Sequence, residues 1–283
     1  MPWLYILPTL ILVVGIIYVG VGYTGWVSTL DWNGIDPTSR SVGLANYAQL
    51  VADPVFWETI RHFTVFAIVT IIVQMALGLA MAILLGSNAV FAGPIYKIVL
   101  FLPVVLAPAA VATAFRSILS PTGALNGVLA LFGLPASNIA WLADPRLGVY
   151  ALAVINIWQW TGLSFLLYQA AISQLDQHLF EAAAIDGAST WQTFRYILLP
   201  QLGGTHATLA LTGCIGALKT FDIVYLTTGG GPGHATEFIT TYIYSEVVQQ
   251  FHAGYSAALS IVLLILALLL TAVQIRVYRF GEA

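Results

Sequence analysis

Two pairs of residues in this chain have the spacing at which side chains can act together: His178 with Glu181, and Lys219 with Asp222. Residues three apart share a helix face, so the first pair has the ingredients of a metal or proton site, and the second could neutralise itself in an apolar setting. Neither grows into a larger constellation. A zinc hydrolase needs two histidines four apart around a glutamate, and the other four histidines are scattered; His178 and Glu181 read as a solvated surface pair. No Gly-x-Ser-x-Gly elbow supports a nucleophile. The single cysteine, Cys214, excludes an internal disulfide and a thiolate metal cage. A phosphate loop must end in Gly-Lys-Ser/Thr, whereas Lys219-Thr220 follows "GAL" and the glycines of "TTGGGPGHATE" (227–237) have no lysine, so that segment reads as a flexible external loop. The sequence therefore carries no catalytic and no metal-binding residues, and the expectation is a protein that is not an enzyme.

The elements that hold these residues are set by composition. Of 283 residues, 59% are hydrophobic and 7% charged, against about 25% charged in soluble domains. The formal net charge of −3 argues against a nucleic-acid partner. An apolar layer about 30 Å thick needs about 20 residues of helix to cross it. Charge-poor runs of that kind predict six spans, at 3–27, 63–86, 98–115, 148–170, 203–226 and 255–275. These runs are continuously apolar, which excludes barrel strands, where apolar and polar residues alternate. The fold class is an all-α membrane protein forming one domain over 1–283. Basic residues on the two sides nearly balance (Arg40, Arg61, Arg116 and Arg146 against Lys97, Arg195, Arg276 and Arg279), so the positive-inside rule leaves orientation open.

Polar residues inside spans are costly and face a bundle interior or a watery cavity. Gln74, Asn156, Gln159, Thr161, Lys219 and Asp222 are such residues. Asn156 and Gln159 with Trp158 and Trp160 offer amides beside aromatic faces, the lining of a candidate translocation path for a solute with both polar edges and apolar faces, although helical positions 100° apart cannot all face one lumen. Bonding between helices plus an aromatic belt is the competing reading. Lys219 and Asp222, three apart on the fifth span, are expected to pair across one helical turn, in a role that is structural or relay-like.

The stretch between spans four and five, "EAAAIDGASTWQTFRYILLP" (181–200), interrupts the most apolar half of the chain with Glu181, Asp186, Gly187, Arg195 and Pro200. Asp176 can cap a helix over 177–185, and Ser189 with Gln192 fits a capping box that opens a second helix, expected to stop before Pro200. Gly187 at the joint can take backbone angles closed to other residues. The pattern is helix, elbow, helix outside the bilayer, and Ala182, Ala183 and Ala184 give it a surface that another protein can approach closely.

That segment resembles the loop that marks permease subunits of binding-protein-dependent ATP-binding-cassette importers, with Glu-Ala-Ala, Asp-Gly and a Leu-Pro ending. "VGLANYAQLVADPVFWETIRHFTVF" (42–66) and "ALKTFDIVYLTTGGGPGHATEFITTYIYSEVVQQFHAGYSAALSIVLLIL" (217–266) are similar to the carbohydrate and glycerol-3-phosphate branch, in its maltose-type first-permease class. Asp176 stands where members often have Pro; both residues start helices. The resemblance implies a type I importer permease with six transmembrane helices, a cytoplasmic coupling-helix loop at 176–200 between spans four and five, and both termini cytoplasmic in a bacterial or archaeal plasma membrane. It implies coupling to an ATPase through Glu181, Ala182, Ala183, Asp186 and Gly187. It implies as partners a second permease, two nucleotide-binding subunits that carry ATP and Mg, an extracytoplasmic solute-binding protein and a sugar substrate, with no cofactor on this chain. An ion-coupled transporter acting without an ATPase is the alternative. It predicts an intramembrane ion relay, for which Lys219 and Asp222 are the only candidates.

Overall fold

The computed structural model describes residues 3–86, 93–133 and 139–281. Helix α1 runs through Trp3–Leu12, a wider turn at Val13–Tyr18 and Val19–Val27. A two-residue antiparallel ribbon follows, β1 (Leu30–Asp31) with β2 (Arg40–Ser41), and then the short α2 (Ala45–Ala52). The long α3 (Pro54–Gly86) starts nine residues before the apolar run at 63–86, because Glu58, Arg61 and His62 extend the same helix beyond the charge-free stretch. Next come α4 (Gly93–Val105), α5 (Pro108–Ile118), α6 (Ala124–Leu131) and α7 (Gly148–Ile172). Helix α8 is Gln177–Ile185, and α9 runs from Thr190–Thr193 through Phe194–Leu198 to Leu199–Gln201. The chain ends with α10 (Gly203–Leu218), α11 (Asp222–Thr227), α12 (Ile239–Tyr244) and α13 (Ala253–Gly281).

Among the described residues, four helices are long and apolar enough to cross a bilayer by themselves: Tyr5–Val27, Pro54–Gly86, Gly148–Ile172 and Ala253–Arg276. Two of the expected spans are not single straight helices. The run at 98–115 bends by 96° between Val105 and Pro108. Pro108 pushes Ala107 out of the helical region, to φ −60° and ψ 135°, and then starts α5 at its first turn. The run at 203–226 ends as a helix at Leu218, resumes at Asp222, and is broken at Phe221, where φ is −129°. This corrects the expectation of a helical Lys219–Asp222 pair. Both side chains are exposed, and among the described residues no ion pair joins them, because a helix end lies between them.

Helices α3 and α7 run side by side in the same direction and form the centre of the molecule. Gly78 permits the contact, since a Cβ there would lie 2.7 Å from the Cβ of Ser164, and Gly162 on the other side of α7 faces the carbonyl of Leu100 in α4. Small residues are what allow helices to approach this closely where lipid supplies no hydrophobic drive for their association. Phe66, Leu152, Ile155, Val224 and Phe238 fill the core towards one end of the pair. At the other end Ala82, Phe165, Tyr168, Leu198, Leu202 and Leu209 form a second cluster.

The first end carries the ribbon, α2, α11, α12 and the 227–237 segment. That segment is tied down rather than loose. Thr236, fully buried, donates to the Gly231 carbonyl at 2.8 Å with its hydroxyl oxygen also 2.8 Å from Thr228 Oγ1, and His62 Nδ1 donates to the Glu237 carbonyl at 2.9 Å. Nearby, Asp53 joins three helices: Tyr242 of α12 and Tyr255 of α13 each donate a hydroxyl to its Oδ2 at 2.6 Å, at the start of α3. Burial alone would raise the Asp53 carboxyl, but the two phenols and the backbone N–H groups of Val55 and Phe56 outweigh it and hold it below its ordinary value. Burial and the bond to Asp53 push the Tyr242 phenol above its ordinary value, so it stays a donor.

A depressed native pKa stabilises the fold above the unfolded value and ceases to do so as pH falls through the native one. Asp53→Asn should therefore lower the melting temperature by roughly 2–4 °C at pH 7 and at pH 5, and the gap from the wild type should close below the ordinary carboxyl range. Thermal unfolding in detergent across that pH series measures it, and a gap that is constant with pH contradicts the ionised, doubly bonded carboxylate.

Candidate functional site

Two sites stand out: a cavity among the central helices and an elbow at the second end. In the elbow, Asp176 Oδ1 accepts from the His178 N–H at 2.9 Å and caps α8, which spans 177–185. Gly187 takes φ +74°, the left-handed region that a side chain disfavours, and turns the chain into α9. The capping box is complete, with Ser189 N–H donating to Gln192 Oε1 at 2.7 Å and Gln192 N–H to Ser189 Oγ at 3.3 Å. The helix does not stop before Pro200. It widens over Phe194–Leu198, with Leu199 N–H reaching back five residues to Phe194, and that wide turn leads directly into the proline, which has no N–H for the usual i−4 bond.

Glu181, Ala182, Asp186 and Gly187 are exposed, while Ala183 is buried. Ile185 is 86% exposed, and Trp191 and Tyr196 are also open. A cleft of about 300 Å³ beside the elbow is bounded by Asp186, Gly187, Gln192 and Tyr196. His178 Nδ1 lies 3.4 Å from Glu181 Oε2 with both groups in solvent, a surface pair of small energetic worth. No group of three or more metal-ligating side chains occurs among the described residues.

The cavity, about 310 Å³, lies where α3, α7 and α10 meet the two helix breaks. Asn156, Gln159 and Trp160 of α7 line it, with Gln74 of α3 and with Lys219 and Asp222 at the second break. Gln74 Nε2 donates to Asn156 Oδ1 at 2.9 Å, which fixes both amides. Gln159 Nε2 donates to the Leu106 carbonyl at 3.3 Å, a carbonyl left without a helical partner by the bend before Pro108. Trp158 does not line the cavity; it is 44% exposed and packs edge-on against Phe115 with ring centres 5.2 Å apart. Lys219 sits at the C-terminus of α10 and Asp222 in the first turn of α11, so each charge complements a helix end. Phe221, Thr212 and Gly213 also line the cavity. The sequence offered no sign of them, because 203–226 reads as an unbroken apolar run.

The sequence matches, over residues 2–279, the family described as binding-protein-dependent transport system inner membrane component. The chain belongs to that family. A probable ABC transporter permease protein of Pyrococcus horikoshii is 34% identical over 266 residues, covering 94% of this chain and 91% of that protein. The trehalose/maltose transport system permease protein MalF of Thermococcus litoralis is 32% identical over 279 residues, covering 98% and 93%. Among solved structures, a chain of a bacterial alginate ABC transporter, crystallised with an alginate pentasaccharide-bound periplasmic protein, superposes with TM-score 0.82 at 22% identity over 96% of this chain and 92% of that one. The last likeness shows the fold: this membrane permease has the architecture of an ABC importer permease.

Loss of either cap should loosen the elbow without unfolding the permease. Asp176→Ala and Ser189→Ala are each expected to cost about 1 kcal/mol locally, read as roughly fivefold faster amide hydrogen exchange in α8 and α9 respectively, with the exchange of α7 unchanged.

Proposed function

We propose that this chain is the permease subunit of an ATP-driven sugar importer, forming half of the translocation path and coupling ATP hydrolysis on separate subunits to alternating access. The observation that carries the reading is the packed continuity between elbow and cavity. Leu198 and Leu202, at the end of α9, sit in one cluster with Phe165 and Tyr168 of α7, the helix that bears Asn156, Gln159 and Trp160. Tyr168 and Leu202 are fully buried, and Tyr168 is hydrogen-bonded to His206 of α10 at 2.6 Å. Close-packed interiors transmit displacement because they cannot absorb it. Movement imposed on the elbow therefore reaches α7 and α10, two walls of the cavity.

In this reading Glu181, Ala182, Ala183, Asp186 and Gly187 form the coupling helix and elbow, on the cytoplasmic side with both termini. The bent α4–α5 unit and the broken α10–α11 unit each count as one crossing, which gives six with the four straight helices. The partners are a second permease, two nucleotide-binding subunits carrying ATP and Mg, and an external solute-binding protein; this chain needs no cofactor of its own. Sugars are supported as cargo by the cavity's amides beside Trp160, and by the trehalose/maltose and alginate named for similar proteins. ATP shifts the equilibrium between inward-open and outward-open states only through contacts that differ between them, and the elbow is where those contacts act.

Affinity purification of the tagged chain from its native membrane in gentle detergent should recover an ATPase subunit and a second permease. Gly187→Asp has room for its Cβ, since nothing lies within 4 Å of that position, but strains the elbow at φ +74°. That variant is expected to insert normally and to lose uptake of labelled trehalose, maltose and lactose while ATP hydrolysis continues. Normal uptake by Gly187→Asp removes the coupling role, and a lone chain that moves solute without ATP replaces the importer reading with an ion-coupled carrier.

A further inference from the structure

Three aromatic rings continue from the cavity towards the first end of the molecule. Phe221 lines the cavity at the break between α10 and α11. Tyr225, one helical turn on, stacks on it with ring centres 5.1 Å apart and planes within 12°. Tyr244 of α12 closes on both, at 5.5 Å from Phe221 and 4.9 Å from Tyr225, and the two tyrosine hydroxyls are 3.3 Å apart. Helix α11 leads from the cavity to the 227–237 segment, so the strip points outward along it. Thr240 Oγ1 donates to the Thr220 carbonyl and ties α12 to the break, which fixes the spacing of the rings.

The core pair Phe66 and Phe238, edge to face at 5.1 Å, is closed off, with each ring 1% exposed. Tyr225 is 38% exposed, and Phe221 and Tyr244 are half-buried. Lys219 and Asp222 flank Phe221 with no side-chain hydrogen bond or ion pair to another described residue. An open aromatic surface beside an unpaired cation and an unpaired carboxylate suits a ring with one apolar C–H face and a rim of hydroxyls. We propose that Phe221, Tyr225 and Tyr244 form an outer subsite that stacks the apolar face of a pyranose ring on its way into the cavity, with Lys219 and Asp222 taking its hydroxyls.

This proposal rests on the sugar-importer reading and fails separately from it. The full-length chain, purified with the subunits that accompany it and placed in nanodiscs, is titrated with maltose, maltotriose and the ring-less polyol mannitol. Wild-type protein should bind both saccharides, and saturation-transfer NMR should show magnetisation reaching the axial C–H face of a glucose ring more strongly than the rest of the sugar. Tyr225→Leu should weaken maltotriose binding about tenfold, Tyr225→Phe should restore it, and mannitol binding should be the same in all three. Saccharide binding with equal affinity in wild type and Tyr225→Leu, or with no preference for the axial face, overturns the outer subsite and leaves the importer reading intact. No saccharide binding by wild type overturns both. If Tyr225→Leu does not fold, the wild-type saturation pattern and the Tyr225→Phe affinity still decide the matter.

Discussion

An amide or carbonyl stripped of its helical partner inside hydrocarbon costs several kcal/mol unless protein or water satisfies it, and this chain breaks its helices twice within runs long enough to cross a membrane. Both breaks adjoin the same cavity. At the first, Pro108 forces the turn and Gln159 donates to the Leu106 carbonyl. At the second, Lys219 ends α10, Phe221 leaves the helical region, and Thr240 donates to the Thr220 carbonyl. A cavity lined by Gln74, Asn156 and Gln159 is where such breaks can be tolerated, and the breaks in turn shape its wall.

The two ends of the molecule answer different demands. At the first end, Asp53 collects hydroxyls from Tyr242 and Tyr255, and buried Thr236 draws the glycine-rich segment back on itself. A helix as long as α3 is thereby fixed where it leaves the apolar layer. At the second end the elbow projects, with Ile185, Trp191 and Tyr196 open to solvent and Ala183, Leu198 and Leu202 turned inward. A projecting unit that is firmly rooted can carry force. The wide turn before Pro200 keeps α9 continuous with α10 except at Leu202, so elbow and spans share one backbone as well as one packed cluster.

Exposure of α1 over residues 5–23 has the same physical origin as exposure of the outer faces of α4 and α13. Apolar side chains such as Ile16, Val99 and Leu268 remain uncovered within the chain, because in a bilayer neither lipid nor a second apolar helix makes that exposure costly. The forces that specify the fold are therefore close approach at Gly78 and Gly162, hydrogen bonds such as Gln74 to Asn156, and the two tied ends.

Local chemistry was legible in the sequence wherever it was sufficient. Asp176 and the Ser189–Gln192 box set helix starts that the structure keeps, and Gly187 takes the left-handed angle its position called for, because caps and elbows depend on residues within a few positions of each other. The four helices long and apolar enough to cross a bilayer were legible for a related reason, since hydropathy over about 20 residues marks them. The elements that failed are those whose geometry depends on distant partners. An apolar run at 203–226 looks helical throughout, yet the break at Phe221 is held by Thr240, twenty residues away from Thr220, so the Lys219–Asp222 helical pair did not form. Pro108 announces a turn but not its 96°. Of the four neighbours on α7, Asn156, Gln159 and Trp160 reach the cavity and Trp158 turns to Phe115, because the rotation of that helix is fixed by Gly78 and Gly162 against their neighbours, contacts that no local pattern encodes.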